Sequence, residues 1–291
     1  MNQNNAEHLC YNNTYENRLG QKNGMLVKFP VSLWRNRELW WRLTERDIVG
    51  RYKSSLLGMS WSFITPLAML AVYTFVFSQV FKARWSGVEQ TSSLAFAINL
   101  FAGLIVFNLI AECVNRAPSL ILSHENYVKK VVFPIDILAA VVVGSAVFNS
   151  ITSLCILILF RLISVQTIPV TSLWLPAVWL PVVLIGLALT WILSSLGVFL
   201  RDIGQIVGVA INMLMFLSPV FFPLSALPDQ WKPILQINPL AHAIEQTRTV
   251  LILGQSPDPG YLIKGSIAGI LICELSYRFF KKSQRAFADV I

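Results

Sequence analysis

The sequence predicts an all-α integral membrane protein. Six transmembrane helices, an N-terminal amphipathic helix at the membrane interface and a re-entrant outer gate between spans five and six make up the expected architecture. Three observations carry it. Of the 291 residues 55% are hydrophobic and only 13% charged, against roughly a quarter charged in a soluble domain. Six apolar stretches reach the roughly 20 residues that a bilayer crossing takes. The remaining charges gather at the ends of those stretches, so apolar runs of this length belong in lipid rather than in a core.

Residues 1–30 form a polar leader. Its first 24 residues are Asn-rich and contain no apolar signal-peptide core, so no cleaved leader is expected and the first span acts as its own insertion signal. Residues 31–60 with Trp61 read "VSLWRNRELWWRLTERDIVGRYKSSLLGMSW", a stretch that has four tryptophans yet is too charged to enter a bilayer. At about 100° per residue, Arg35, Arg42, Arg46 and Lys53 line one stripe and Trp34, Trp41, Ile48 and Tyr52 another, with Leu33 and Trp40 beyond it. That pattern predicts an interfacial helix with its rings at headgroup depth. It serves equally as a lipid anchor or as a docking surface for another subunit.

Residues 61–280 hold the spans, at 62–81, 94–114, 135–160, 173–200, 203–222 and 261–280; residues 281–291 are a tail. Lys and Arg sort unevenly between the loops, seventeen on the side of both termini and six on the other. The positive-inside rule therefore predicts cytoplasmic termini. The second cytoplasmic loop, "NRAPSLILSHENYVKKVVFP", reads as a short amphipathic helix. Pro118 suits its first turn, Glu125 and Lys129 are spaced to pair, and Pro134 ends it. Between two spans such a helix is either a lever or interfacial decoration. Segment 219–259 contains seven of the fourteen prolines. Within it Asn238 fits an N-cap, Pro239 a first helical residue and Gly254 a C-terminal stop. The helix between them is too short to cross, so 219–254 reads as a re-entrant gate covered by protein, with an ordinary surface loop as the alternative.

Catalytic chemistry is largely missing. His8, His124 and His242 are too scattered for a metal cluster, and Cys10, Cys113, Cys155 and Cys273 form no CxxC pair. No Ser–His–Asp set or facing carboxylate pair is suggested, and there is no GxxxxGK[ST] phosphate cradle. The net charge of +8 reports membrane orientation rather than nucleic-acid binding, because its cations flank the spans. Glu112 with Arg116, and Glu274 with Arg278, read as helix-end ion pairs rather than proton relays. Asp136, at an interface near a helix N-terminus, needs no special role. What the spans offer instead is rings. Trp61, Tyr73, Phe75, Phe216, Phe221 and Phe222, with Asn212, are the candidates for a corridor in which sugar faces stack and hydroxyls find amides.

In this order and at these positions, four stretches resemble the membrane subunit of type-2 ABC exporters, in the branch exporting O-antigen, capsule and teichoic acid. They are "LWWRLTERDIVGRYKSSLLGMSWSFITPL", "NYVKKVVFP", "FLRDIGQIV" and "LSPVFFPLSALPDQWKPILQINPLAHAIEQTRTVLILG". The resemblance implies a homodimer above two cytoplasmic ATP-binding subunits. This chain would bind no cofactor, with ATP and Mg on the partner. It implies that Glu125, Asn126, Tyr127 and Lys129 form a coupling helix seated in the ATPase, and that Arg201 and Asp202 make a second contact. Trp34, Trp40, Trp41, Arg42 and Arg46 would lie on the interface helix, and Pro219, Pro223, Asn238 and Pro239 in the outer gate.

The expected function is thus a permease moving lipid-linked polysaccharide across a bacterial inner membrane, with membrane lipid and glycan as its ligands and no nucleic acid. Rival readings are an exporter of a drug or small lipid with the same fold, a membrane-embedded transferase and a proton-coupled carrier. The transferase would need an acidic or metal-binding cluster at one membrane face. The carrier would lose transport on neutralising Glu112 or Glu274.

Overall fold

The computed structural model describes residues 28–53, 55–77, 93–128, 133–224, 228–230 and 238–290, and among them every regular element is helical. The described residues open with α1 (Phe29–Arg35) and α2 (Arg37–Tyr52). The continuous helix that the charge stripes predict is broken at Asn36, whose φ and ψ are −108° and 22°. The cause is local. The Asn36 side-chain amide donates to the Ser32 carbonyl at 2.9 Å, the acceptor its own backbone N–H also uses, and such competition loosens a helical turn.

There follow α3 (Trp61–Phe75), α4 (Ser93–Arg116), the one-turn α5 (Glu125–Val128), α6 (Ile137–Val165), α7 (Leu175–Phe199) and α8 (Ile203–Phe216). Next come α9 (Pro239–Arg248), extended by a wider turn over Thr249–Leu253, then α10 (Pro259–Ser283) and α11 (Phe287–Val290). The loop after α4 is less regular than expected. Pro118 sits in a run of turns, and among the described residues of the loop Leu122–His124 and α5 are the helical parts.

Among the described residues, four segments are long and apolar enough to cross a membrane: Gly58–Phe75, Ala95–Arg116, Ile137–Ser164 and Val170–Phe199. α8 is apolar but has only 14 residues. It stops at Phe216 because Pro219 removes a backbone donor and disfavours helix in the residue before it. α10 has the length, 25 residues, but carries Lys264 and Glu274.

α4 lies at the centre, packed by α6, α7 and α9. α3 is peripheral: it buries only Ser62 and Leu70, and leaves Phe63, Leu67, Val72 and Phe75 exposed. α10 packs closely on α7, where a Cβ added to Gly265 or Gly269 would lie 3.3 Å from Pro181 or 3.0 Å from Leu184. That is the small-xxx-small spacing by which membrane helices approach. A second core gathers Phe29, Leu120, Ile121, Trp191, Tyr277, Phe280 and Phe287 at one end. The starts of α1 and α6, the loop after α4 and the close of α10 meet there, and it is called the basic end below.

Candidate functional site at the basic end

α2 is bolted to the spans by a four-charge network. Asp47 accepts from Arg116 at 2.7 Å and from Arg51 at 3.2 Å, and Arg51 reaches Glu112 at 2.5 Å. Ser145 donates to Asp47 at 2.6 Å and Asn149 to Glu112 at 2.8 Å. The i,i+4 pair between Glu112 and Arg116 is present at 3.6 Å, but it is the long edge of this larger set. Burial alone would push the Asp47 carboxyl up. Hydrogen bonds from Arg116 and Ser145, with the charges of Arg116 and Arg51, outweigh it and hold the carboxyl below its ordinary value. Burial likewise opposes the charge on Arg51, and the carboxylates of Glu112 and Asp47 more than restore it.

The tryptophans divide. Trp40 turns inward and donates its indole N–H to the Ala140 carbonyl at 2.8 Å, beside the buried Thr44. Trp34 and Trp41 are 73% and 62% exposed, and Arg37 lies over the Trp34 ring at 5.2 Å. Arg42 and Arg46 are exposed, and Arg46 donates to the Tyr127 hydroxyl at 2.6 Å. α2 therefore touches the loop after α4 directly. Tyr127 stacks on Phe133 and His124, with ring centroids 4.3 and 5.8 Å away. Glu125 and Asn126 are exposed beside it. Lys129 lies outside the described residues.

Arg201 and Asp202 occupy the exposed turn between α7 and α8. They stand close to the loop after α4, because a Cβ at Gly197 would come within 2.0 Å of the Pro118 carbonyl oxygen. Only glycine admits that approach. The described members of the expected loop contacts thus lie toward one end of the molecule, although their sequence positions span 125 to 202.

Two carboxylates have partners that sequence spacing does not disclose. Glu274 pairs with Arg278 at 2.7 Å as expected. It also accepts the backbone N–H groups of Lys28 at 2.7 Å and Phe29 at 3.2 Å, holding the start of α1. Asp136, expected to have no special role, is fully buried. It accepts from Ser32 at 2.6 Å and Lys281 at 2.7 Å, with the Tyr277 hydroxyl at 3.4 Å. The expectation failed because it considered only the local helix terminus, whereas these partners come from α1 and α10.

The ring candidates are spread over two exposed helices. Trp61 and Phe75 are exposed on α3, while Tyr73 packs against the core. Asn212 and Phe216 share an exposed face of α8, and Phe216 stacks on Phe221 at 5.8 Å. Phe222 is half-buried.

At the far end Asn238 caps α9 by accepting the Leu240 N–H at 3.0 Å, Pro239 is the first helical residue, and Gly254, with φ of 69°, ends the following turn. Pro219 is buried and Pro223 half-buried. Arg248, which local pattern did not single out, is buried and donates to the carbonyls of Asn99 (3.0 Å), Pro219 (2.7 Å) and Val220 (2.8 Å). It joins α9 to α4 and to the turn after α8. Arg161 similarly donates to the Leu251 carbonyl and, at 3.1 Å, to that of Ile252.

A helical membrane domain whose charged elements converge on one end is the build of a transporter's membrane subunit. The chain belongs to the ABC-2 type transporter family, which it matches over residues 38–252. Among curated proteins it is similar to the O-antigen export system permease protein RfbA of Myxococcus xanthus. That relative is 25% identical over 268 residues, covering 91% of this chain and all of the relative. The protein of the same name from Klebsiella pneumoniae is 23% identical over 268 residues, 92% of this chain and again all of the relative. The polysialic acid transport protein KpsM of Escherichia coli is 24% identical over 235 residues, 76% of this chain and 81% of its own length.

Proposed function

We propose that this chain is the permease subunit of an ATP-driven exporter that moves lipid-linked polysaccharide, of O-antigen, capsule or teichoic-acid type, across a bacterial inner membrane. The single observation that carries the reading is the end-to-end similarity to the Myxococcus O-antigen export permease, 25% over 268 residues. Two copies would stand on two cytoplasmic ATP-binding subunits, which hold the ATP and Mg. The chain would cross six times, with both termini cytoplasmic. α8 and the turn after it would provide the fifth crossing and α10 the sixth, while α9 would re-enter from the outside as a gate.

In this account, closure of the ATP-binding pair presses on the loop bearing Glu125, Asn126, Tyr127 and Lys129, and on Arg201 and Asp202. Tyr127 is stacked with His124 and Phe133 and holds Arg46 through its hydroxyl, so the push is shared with α2. The exposed rings of α3 and α8 would face the partner copy across the dimer axis, where Trp61, Phe75 and Phe216, with Asn212 and Phe221, offer flat and amide surfaces to a sliding glycan. Weak contacts at many positions let a polymer advance without being trapped.

Deleting the gene tests the reading. The expected outcome is loss of the surface polysaccharide, with lipid-linked glycan accumulating inside the cell. Unchanged surface glycan together with new sensitivity to small toxic compounds would replace it with a drug or small-lipid exporter.

A further inference from the structure

We propose that Asp136 is the positioning residue through which movement of the loop after α4 is passed to α1 and α10. The proposal rests on the reading of that loop as the contact for the ATP-binding partner.

An aspartate just ahead of a helix ordinarily accepts a hydrogen bond from the first turn of that helix. Asp136 does not. Its backbone is already helical, with φ of −57° and ψ of −24°, and its side chain caps nothing on α6. The carboxylate is used entirely on other elements: Ser32 of α1 at 2.6 Å, and Lys281 of α10 at 2.7 Å, with Tyr277 of the same helix at the edge of hydrogen-bonding range. Its main-chain carbonyl accepts from the Trp191 indole of α7 at 3.0 Å. The Trp191 ring in turn meets Phe29 and Tyr277 edge-on, at 6.1 and 5.2 Å. One residue, two positions past Pro134 where the loop rejoins the spans, is therefore tied to three separate helices.

The surroundings make the tie stiff. Asp136 is fully buried, and a buried carboxylate without a partner is strongly unfavourable. Releasing Lys281 while the carboxylate stays inside is not an inexpensive excursion. α1 has little freedom of its own, since Glu274 of α10 already holds its first N–H groups. Displacing the end of the loop must then carry α1 and α10 with it, or break the ion pair. Packed elements respond to such a push as bodies rather than by gradual deformation.

A fold-holding role and a transmitting role are separated by Asp136→Asn combined with Lys281→Met. The double variant leaves no uncompensated buried charge, so the fold survives, but the ionic tie is gone. The assay uses the chain assembled with its ATP-binding subunit in nanodiscs. Spin labels replace the exposed residues Trp34 on α1 and Leu122 in the loop, in a background without the native cysteines. In the parental complex both labels should move relative to a third at exposed Ile163 when nucleotide is trapped, with the 34–122 distance unchanged. In the double variant the 34–122 distance should shift with nucleotide. ATP hydrolysis should persist while export falls by about tenfold, the scale expected for coupling residues. Labels that still move together in the double variant, with normal export, would overturn the proposal. A parental 34–122 distance that already changes with nucleotide would overturn it too. If neither parental label moves, the reading of the loop as the partner's contact fails and takes the proposal with it. Loss of export in the parental complex alone would instead count against the cargo, leaving the label distances to decide the tie.

Discussion

The two ends of the molecule handle buried charge differently. At the basic end, opposite charges meet: Asp47, Arg51, Glu112 and Arg116 join α2 to α4, and Asp136 with Lys281 joins the start of α6 to α10. At the far end, Arg161 and Arg248 are aimed chiefly at main-chain carbonyls, with the Glu245 carboxylate beside Arg248 at 3.1 Å. A guanidinium on carbonyls fixes backbone that has left the helix, as at Pro219 and Val220, by meeting acceptors that would otherwise be orphaned. An ion pair between side chains links whole helices and passes the displacement of one to the other. The far end is built to keep a turn in shape and the basic end to carry relative motion.

Breaking the far end should have the largest effect. Arg248→Met takes the side-chain donor from the non-helical carbonyls of Pro219 and Val220 and breaks the tie to Asn99 on α4, and about 3 kcal/mol or more of stability should disappear. Thermal unfolding of the purified chain in detergent reads this, and Arg248→Lys should recover only part because it lacks the forked donors. A melting temperature indifferent to Arg248→Met would erase the contrast between the ends.

Gly197→Ala comes next. The added Cβ would have to displace the Pro118 carbonyl, which is backbone, so about 1–3 kcal/mol is expected for overpacking. Binding of the ATP-binding subunit should weaken in parallel, because the loop and the Arg201–Asp202 turn separate. Affinity measured on the solubilised complex checks it, and wild-type affinity would show that the two contacts are independent.

A smaller effect, about 1–2 kcal/mol, is expected for Asp47→Asn, which leaves Arg51 and Arg116 sharing Glu112. Hydrogen exchange over residues 37–52 should quicken while that of α4 does not. The folded carboxyl titrates lower than the unfolded one, so the stabilisation is complete above about pH 4 and acid imitates the substitution only below it. Equal acceleration in α4 would mean that the network is part of the core rather than a bolt on α2.

Smallest of all should be Trp34→Ala and Trp41→Ala, within about 0.5 kcal/mol of the parent in detergent. Trp40→Phe, which loses the hydrogen bond to Ala140, should cost about 1 kcal/mol. If the three behaved alike in unfolding, the division of residues 34–41 into an inward and an outward face would be wrong.

What could be read from the sequence was local. Asn238, Pro239 and Gly254 bracket their helix through contacts two to six residues long, and the i,i+4 pairs of Glu112 and Glu274 follow from helical spacing alone. The partners that matter more were out of reach of such reasoning. Ser32 and Lys281 lie 104 and 145 residues from Asp136, and Asn99 lies 149 from Arg248. Periodicity along one helix carries no information on which other helix it meets. The amphipathic reading of residues 31–60 leaves their protein-facing side unread for the same reason. Its stripes treat the surroundings as lipid on one side and water on the other, whereas Trp40, Thr44 and Asp47 pack on protein.

The account stands on the chain being driven rather than driving. The direct measurement places the purified chain in proteoliposomes loaded with lipid-linked polysaccharide, with and without its ATP-binding subunit, and follows glycan reaching the opposite leaflet. Transfer that needs both the second subunit and ATP is the expected result. Transfer by this chain alone, or transfer indifferent to ATP, would contradict it.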